Sequence, residues 1–320
     1  MAGCSRLFSL FHTGTVRHHL MKENPEHYQL DCSGRELDLR LKPAVMGIVN
    51  LTPDSFSDGG MFQLADRKTD LDRAVDYALS MVRDGAAIID VGGESSRPGA
   101  AKISAAEEIR RTAPFIALLR KKSDVLISID TCKAEVADAA LGEGAQIVND
   151  ISGFTFDRAL PPVCSRYRAA AVLMHAPLTP QEMKWSTETV SAPEEITRRV
   201  MAFLQTAVAT AENAGIDNIV IDPGFGFGKS VEENFRLLGN LKALLELRRP
   251  LLAGVSRKSF LGRAVQKQGE SEPPPAERYD ASNAAQTIAL MNGASIIRAH
   301  DVRSAFHAAA VVSAMKKAMA

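Results

Sequence analysis

Eight short apolar runs recur along the chain, each followed by a longer stretch with helical spacing. The runs are Ala44–Asn50, Ala86–Gly93, Leu126–Thr131, Gln146–Ile151, Ala170–His175, Ile219–Gly224, Leu251–Ser256 and Ser295–His300. Each is nearly continuous in its apolar character, as expected of parallel strands covered on both faces. Helical patterns follow over residues 67–84, 104–121, 133–142, 157–168, 193–214, 230–247, 278–292 and 301–318. Leu71, Val75, Ala78, Leu79 and Val82 show the 3.6-residue period, as do Ile196, Val200, Phe203, Leu204 and Ala207. Gly85, Gly142, Gly144, Gly215 and Gly293 stand where helices hand over to strands. Eight βα units in residues 44–320 predict an α/β fold of the (β/α)8 TIM-barrel class. An open, doubly wound sheet is the alternative, because strand order and closure cannot be read from periodicity.

Residues 1–43 are expected to form an N-terminal extension and a hairpin, and residues 44–320 the barrel. Tyr28–Cys32 and Glu36–Leu41 flank Ser33–Gly34, a turn pair, and the hairpin is placed at the barrel's bottom. Residues 1–22 carry Arg6, Arg17 and Lys22 and no acid. That composition suits either an organelle transit segment or a weakly ordered extension. Pro273–Pro275 mark a surface loop within Gln266–Ala276.

Composition narrows the function. The 38 basic and 38 acidic residues cancel, which argues against a nucleic-acid or anionic-membrane partner. No apolar run approaches the roughly 18 residues of a membrane helix. Cys4, Cys32, Cys132 and Cys164 are widely spaced, without a CxxC pair, as suits a reducing cytoplasmic setting.

The polar residues lie at the strand ends. They are Asn50; Asp90, with Glu94 just beyond; Asp130; Asn149 and Asp150; His175; Asp222; Ser256-Arg257-Lys258; and Arg298 with His300. One Asp or Asn after a strand is an ordinary turn former or helix cap. All of them in register predict a polar pocket at the C-terminal mouth. Asp130, Asn149 and Asp222 suit a flat heterocycle rich in N–H groups, since a guanidine-type edge pairs with a carboxylate. Arg97, Arg298 and His300 suit phosphate or pyrophosphate. Asn50 offers one neutral oxygen to Mg²⁺, which takes the rest of its shell from water and phosphate. The loops Thr52–Gly60 and Gly92–Gly99 read as mobile lids. The run Gly224-Phe225-Gly226-Phe227-Gly228-Lys229-Ser230 fails both nucleotide-loop spacings, having Pro223 and Lys229 where glycine is needed. It is read as a turn presenting Phe227 to the pocket, with a helix starting near Ser230.

These segments together resemble the dihydropteroate synthase family over about residues 44–303. The resemblance rests on Met46–Gly60, Ile88–Pro98, Ser128–Lys133, Asn149–Ile151, Asp222–Lys229, Ser256–Ser259 and Arg298–Asp301. It implies a transferase of folate biosynthesis that joins 6-hydroxymethyl-7,8-dihydropterin pyrophosphate to p-aminobenzoate, releasing pyrophosphate. It also implies that Asp130, Asn149, Asp222 and Lys258 hold the pterin. Asn50, Ser96, Arg97, Arg298 and His300 would hold the pyrophosphate, with Mg²⁺ on Asn50. Phe56, Pro98, Phe227 and Ser259 would receive p-aminobenzoate, where sulfonamides compete. Asp130, Arg97 and Lys258 are the implied catalytic set, and a homodimer through the last helices is implied as well. Lys258 as a Schiff-base lysine is the rival reading. A non-catalytic pterin binder and a pterin-using methyltransferase are the rival functions. Three departures stand out: Ser96 replaces the usual Thr, Ala176 replaces a common Met, and Tyr279–Asn283 lacks the usual Gly-Ser/Thr pair.

Overall fold

Alternate residues of each barrel strand belong to two different cores, and this two-residue period organises the molecule. The computed structural model describes residues 28–40, 42–52, 67–95, 99–179, 182 and 195–319, with backbone only for 67–70. A hairpin of β1 (Gln29–Cys32) and β2 (Arg35–Asp38) comes first. The barrel strands are β3 (Ala44–Asn50), β4 (Ile88–Gly92), β5 (Leu126–Asp130), β6 (Ile147–Asp150), β7 (Ala170–Met174), β8 (Ile219–Asp222), β9 (Leu252–Ala253) and β10 (Ile296–Ala299). The helices are α1 (Arg67–Arg83), α2 (Ala105–Lys122), α3 (Ala134–Gly142), α4 (Leu160–Tyr167), α5 (Ile196–Asn213), α6 (Val231–Gly239), α7 (Ser259–Val265), α8 (Tyr279–Met291) and α9 (Val302–Met319).

The eight barrel strands are parallel, and each lies beside its sequence neighbours, with β10 against β3. The ring is closed by one bridge, Ile221 to Leu251, beside a hydrogen bond from Ile221 N to Pro250 O of 2.9 Å. Sequential order and closure exclude the doubly wound alternative. All eight expected strands are present, shortened by up to a few residues at their ends.

One residue phase faces the helices. Val45, Ile89, Val91, Ile127, Ile129, Val148, Ala171, Leu173, Ile219, Ile221 and Ile297 pack there with the helical stripes. The other phase faces the barrel axis. At its lower end Ala44, Met46, Ile88, Leu126, Ile147, Val172, Val220, Leu252 and Ile296 form a second core with Tyr28, Leu30, Cys32, Leu37 and Leu39 of the hairpin segment. The hairpin therefore plugs the bottom, as expected. Ser33 (φ 51°) and Gly34 (φ 84°) turn it. Ser33 N donates to Arg168 O (3.3 Å), and Asp31 N to Asn218 Oδ1 (2.9 Å), which ties the plug to the lower loops.

Two helical expectations need correction. The pattern over 230–247 is two elements, α6 and a 3₁₀ segment at Leu241–Leu247, broken at Asn240. Helix α7 was not anticipated. At seven residues, with Gly262 inside, it is too short to show a 3.6-residue period.

Candidate active site

The axis-facing phase that is apolar at the bottom becomes polar at the top. Two residues above Ile88 stands Asp90, and Gly92 follows; above Leu126 come Ser128 and Asp130. Asn149 follows Ile147, Asp222 follows Val220, and Arg298 follows Ile296. In register, Asn50 lies opposite Gly92, Gly92 opposite Asp130, and Asp130 opposite Asn149.

Arg298 links this layer. Its Nε donates to Asp90 Oδ2 (2.6 Å) and its Nη2 to Asp130 Oδ2 (2.7 Å). Asn149 Nδ2 donates to the same Asp90 Oδ2 at 3.0 Å. Two carboxylates around one guanidinium push the Arg298 pKa further above its ordinary value. Burial pushes Asp130 up to about 7, with Arg298 opposing part of that shift.

Asp222 is buried, and its Oδ1 accepts from Gly224 N at 2.7 Å, which fixes the carboxylate. Burial raises its pKa, while nearby Lys258 and Arg298 lower it. Lys258 stands over Phe227, with its ammonium 4.1 Å from the ring centroid. Burial and Arg298 bring Lys258 down to about 8, and Asp222 and Asp130 favour its charged form. Lys258, Asp222, Asp130 and Arg298 thus act on one another in one cluster. Bare backbone leaves room beside them. A Cβ on Gly92 would lie 3.3 Å from Asn50 Oδ1 and 3.9 Å from Asp130 Oδ2. Ser256 Oγ lies 3.1 Å from His300 Nδ1 and accepts from His300 N at 3.3 Å. The first of these contacts helps to orient the ring.

The glycine-rich turn after β8 is held from beneath by Lys229. Its buried Nζ donates to Gly224 O (2.7 Å), Phe227 O (3.1 Å) and His175 O (3.2 Å). Burial lowers its pKa to about 7. Gly224 (φ 68°) admits no side chain, since a Cβ there would reach 2.1 Å from His175 O. The turn carries Phe227, and the helix after it starts near Ser230 as expected; Ser230 and Glu233 cap α6 in a reciprocal box. Sequence reasoning missed Lys229. A lysine closing a turn that fits no nucleotide loop was the available signal.

Two expected mouth residues are elsewhere, because they fall in the other strand phase. Asp150 accepts from Ser152 N, Ser152 Oγ and Phe154 N, and so builds the turn after β6. His175 stacks edge-on against Phe203 of α5, with ring centroids 5.0 Å apart. Burial and the nearby Lys229 and Arg199 hold its ring neutral, with a pKa of about 2. Glu94 anchors its loop: its Oε1 accepts from Ile103 N at 2.7 Å, and Lys133 Nζ bridges it to Glu108. Ser259 opens α7 directly after Lys258. Ala176 is buried with Ile151 and Met174 against Phe227 and Cys132, so an apolar wall stands there despite the small residue. Phe56, Ser96, Arg97 and Pro98 lie outside the described residues, as does the 1–22 extension.

Among the described residues, no three acidic, His or Cys side chains group as a metal site. A lone Asn50 amide oxygen at the rim, beside the bare Gly92, fits a magnesium ion ligated chiefly by substrate phosphate and water.

The barrel mouth brings carboxylates and an amide together with a guanidinium and an imidazole, a polar site of the kind that enzymes of this fold carry at the C-terminal ends of their strands. Comparison with known proteins agrees. The profile described as "Pterin binding enzyme" matches residues 46–300. The dihydropteroate synthase of Synechocystis sp. is 43% identical over 262 residues, covering 81% of this chain and 86% of that protein. The Xanthomonas albilineans dihydropteroate synthase solved with 4-aminobenzoic acid has a TM-score of 0.78 at 38% identity, covering 91% of this chain and 98% of that one. The Yersinia pestis dihydropteroate synthase in a sulfonamide drug complex has a TM-score of 0.80 at 36% identity, covering 91% and 99%. The chain belongs to the pterin-binding enzyme family, and within it to the dihydropteroate synthases.

Proposed function

We propose that the barrel mouth carries out the family reaction by a dissociative route. The substrates are 6-hydroxymethyl-7,8-dihydropterin pyrophosphate and p-aminobenzoate; the products are 7,8-dihydropteroate and pyrophosphate. The observation that carries this reading is the Arg298–Asp130 contact of 2.7 Å, where the anion half and the heterocycle half of the site meet.

Asp222, Asn149 and Lys258 hold the ring edge, and Asp130 lies beneath it. The methylene C–O bond breaks with its electron pair going to pyrophosphate. Arg298 and His300, joined by Ser96 and Arg97, take up that developing charge. Magnesium on Asn50, when bound, would neutralise phosphate oxygens. The positive methylene is delocalised into the electron-rich pterin and faces the Asp130 carboxylate. The p-aminobenzoate nitrogen then forms the new C–N bond and loses a proton to solvent or to the departing pyrophosphate. No protein nucleophile is needed, so Lys258 serves as a cation and not as a Schiff base. Phe227, Ser259, Phe56 and Pro98 form the p-aminobenzoate pocket, where sulfonamides compete.

A homodimer through the last helices is supported by exposed apolar side chains on two adjacent helices: Tyr279, Ile288 and Met291 on α8, and Phe306 and Val311 on α9. The three described cysteines, Cys32, Cys132 and Cys164, are free thiols, which supports a cytoplasmic setting.

The test is pyrophosphate release from the dihydropterin pyrophosphate with Mg²⁺, with and without p-aminobenzoate. Dihydropteroate formation with the amine, and slow release without it, are expected. No release in either condition, alongside tight pterin binding, would overturn the catalytic reading.

A further inference from the structure

Asp90 is the one carboxylate of the polar layer to which the reaction above gives no part. It is fully buried, and on β4 it lies two residues below Gly92, the residue opposite Asp130. One oxygen, Oδ2, accepts from two side chains at once: Arg298 Nε at 2.6 Å and Asn149 Nδ2 at 3.0 Å. The other, Oδ1, is buried without a hydrogen-bond partner. A buried charge with half its capacity unused is costly, and such a residue is kept in place by what it holds.

What it holds is one member of each half of the site. A carboxylate can only accept, so it turns the NH₂ of Asn149 inward and leaves the amide oxygen as the free group. It also grips Arg298 by Nε. That contact sets the guanidinium plane and leaves the two Nη groups as the edge available to Asp130 and to an incoming anion. The chain Asn149–Asp90–Arg298–Asp130 is then continuous across β6, β4, β10 and β5.

We infer that Asp90 is a positioning residue that couples the pterin half of the site to the pyrophosphate half, by orienting Asn149 and Arg298 through a single oxygen. The inference rests on Asn149 serving the pterin and Arg298 the pyrophosphate. The presence of either ligand settles the shared hydrogen-bond chain and so favours the other.

The test is a pair of double-mutant cycles read by calorimetry on the full chain. The probes are inorganic pyrophosphate with Mg²⁺ and 6-hydroxymethyl-7,8-dihydropterin, each titrated alone and in the presence of the other. Asp90→Asn preserves shape and an acceptor but removes the charge. It is expected to weaken each probe about five- to tenfold, and to abolish the mutual enhancement between the two. In an Arg298→Ala background, Asp90→Asn should change pyrophosphate affinity by less than about twofold; in an Asn149→Ala background the same should hold for the pterin. A merely structural role would leave the mutual enhancement intact and give additive losses, and either result overturns the inference. If Arg298→Ala spares pyrophosphate and Asn149→Ala spares the pterin, the site assignment itself fails instead. Should Asp90→Asn not fold, Asp90→Glu keeps the charge while displacing Oδ2, and the same two criteria apply to it.

Discussion

The ammonium of Lys258 lies 4.1 Å from the centroid of the Phe227 ring. One side chain follows β9 and the other sits in the turn after β8, so the contact spans the gap where the barrel closes. Lys258 is brought down from 10.5 to about 8, with burial the largest cause. Below pH 8 both folded and unfolded chains carry the proton, and its burial destabilises the fold in full. Between about 8 and 10.5 the folded chain has released a proton that the unfolded chain still holds, so stability from this group rises with pH. Thermal unfolding of the ligand-free protein should show that rise, and Lys258→Met should lose it. Pterin affinity should fall above pH 8 in the native protein; a flat profile would remove Lys258 from the ring edge.

Asp222→Ala should abolish pterin binding. The carboxylate is buried, fixed by Gly224 N and aimed into the cluster with Lys258. Loss of a buried charged hydrogen bond costs about 3 kcal/mol, or roughly a hundredfold in affinity. Calorimetry with 6-hydroxymethylpterin measures it, and unchanged affinity would refute the assignment.

Arg298→Ala should weaken the pyrophosphate-bearing substrate far more than free pterin. It should also destabilise the protein, because Asp90 and Asp130 lose their shared cation. Breaking a buried pair in this way costs about 3–5 kcal/mol. Asp130 is already pushed up by burial, and without Arg298 it goes higher. A carboxylate raised in the folded state is a penalty at high pH that is relieved as pH falls through its folded pKa. The melting-temperature gap to the native protein should therefore narrow from pH 8 towards pH 5. A gap independent of pH would contradict the ion-pair account.

Lys229→Met keeps the length but leaves Gly224 O, Phe227 O and His175 O without their shared donor. Unsatisfied buried carbonyls cost about 1–3 kcal/mol, or about 5 °C in a domain of this size. Because Phe227 is carried by that turn, the KM for p-aminobenzoate should rise while pyrophosphate affinity stays near native. Equal loss for both would place Lys229 in the general core.

Sedimentation should show a dimer at micromolar concentration. Val311→Lys on α9, at a position 67% exposed, should shift it to monomer with little effect on the fold. A native monomer would reject the interface.

The barrel was legible because its strands are apolar on both faces while its helices keep a single stripe. Most of the mouth was legible too, since Asn50, Asp130, Asn149, Asp222 and Arg298 are polar residues ending apolar runs. Listing strand ends, however, ignores phase. Asn149 and Asp150 are neighbours in sequence, yet one faces the axis and the other ties a turn. His175 falls on the helix side for the same reason. Counting by twos from Ile147 or Val172 would have separated them. Asp90 was visible as a strand-end acid, but its task was not, because that depends on Arg298, far along the chain. Lys229 was visible as a lysine closing a turn that fits no nucleotide loop, but its task was not, because its partners are three backbone carbonyls.

The hairpin plug makes the barrel a vessel with one opening. With Leu30, Cys32 and Leu37 sealing the floor against Met46, Leu126 and Leu252, the closed end offers no route out. Both substrates and both products must use the same doorway. On the assignment proposed above, a pterin held at Asp222 would stand behind whatever binds nearer the rim, and so would enter first and leave last.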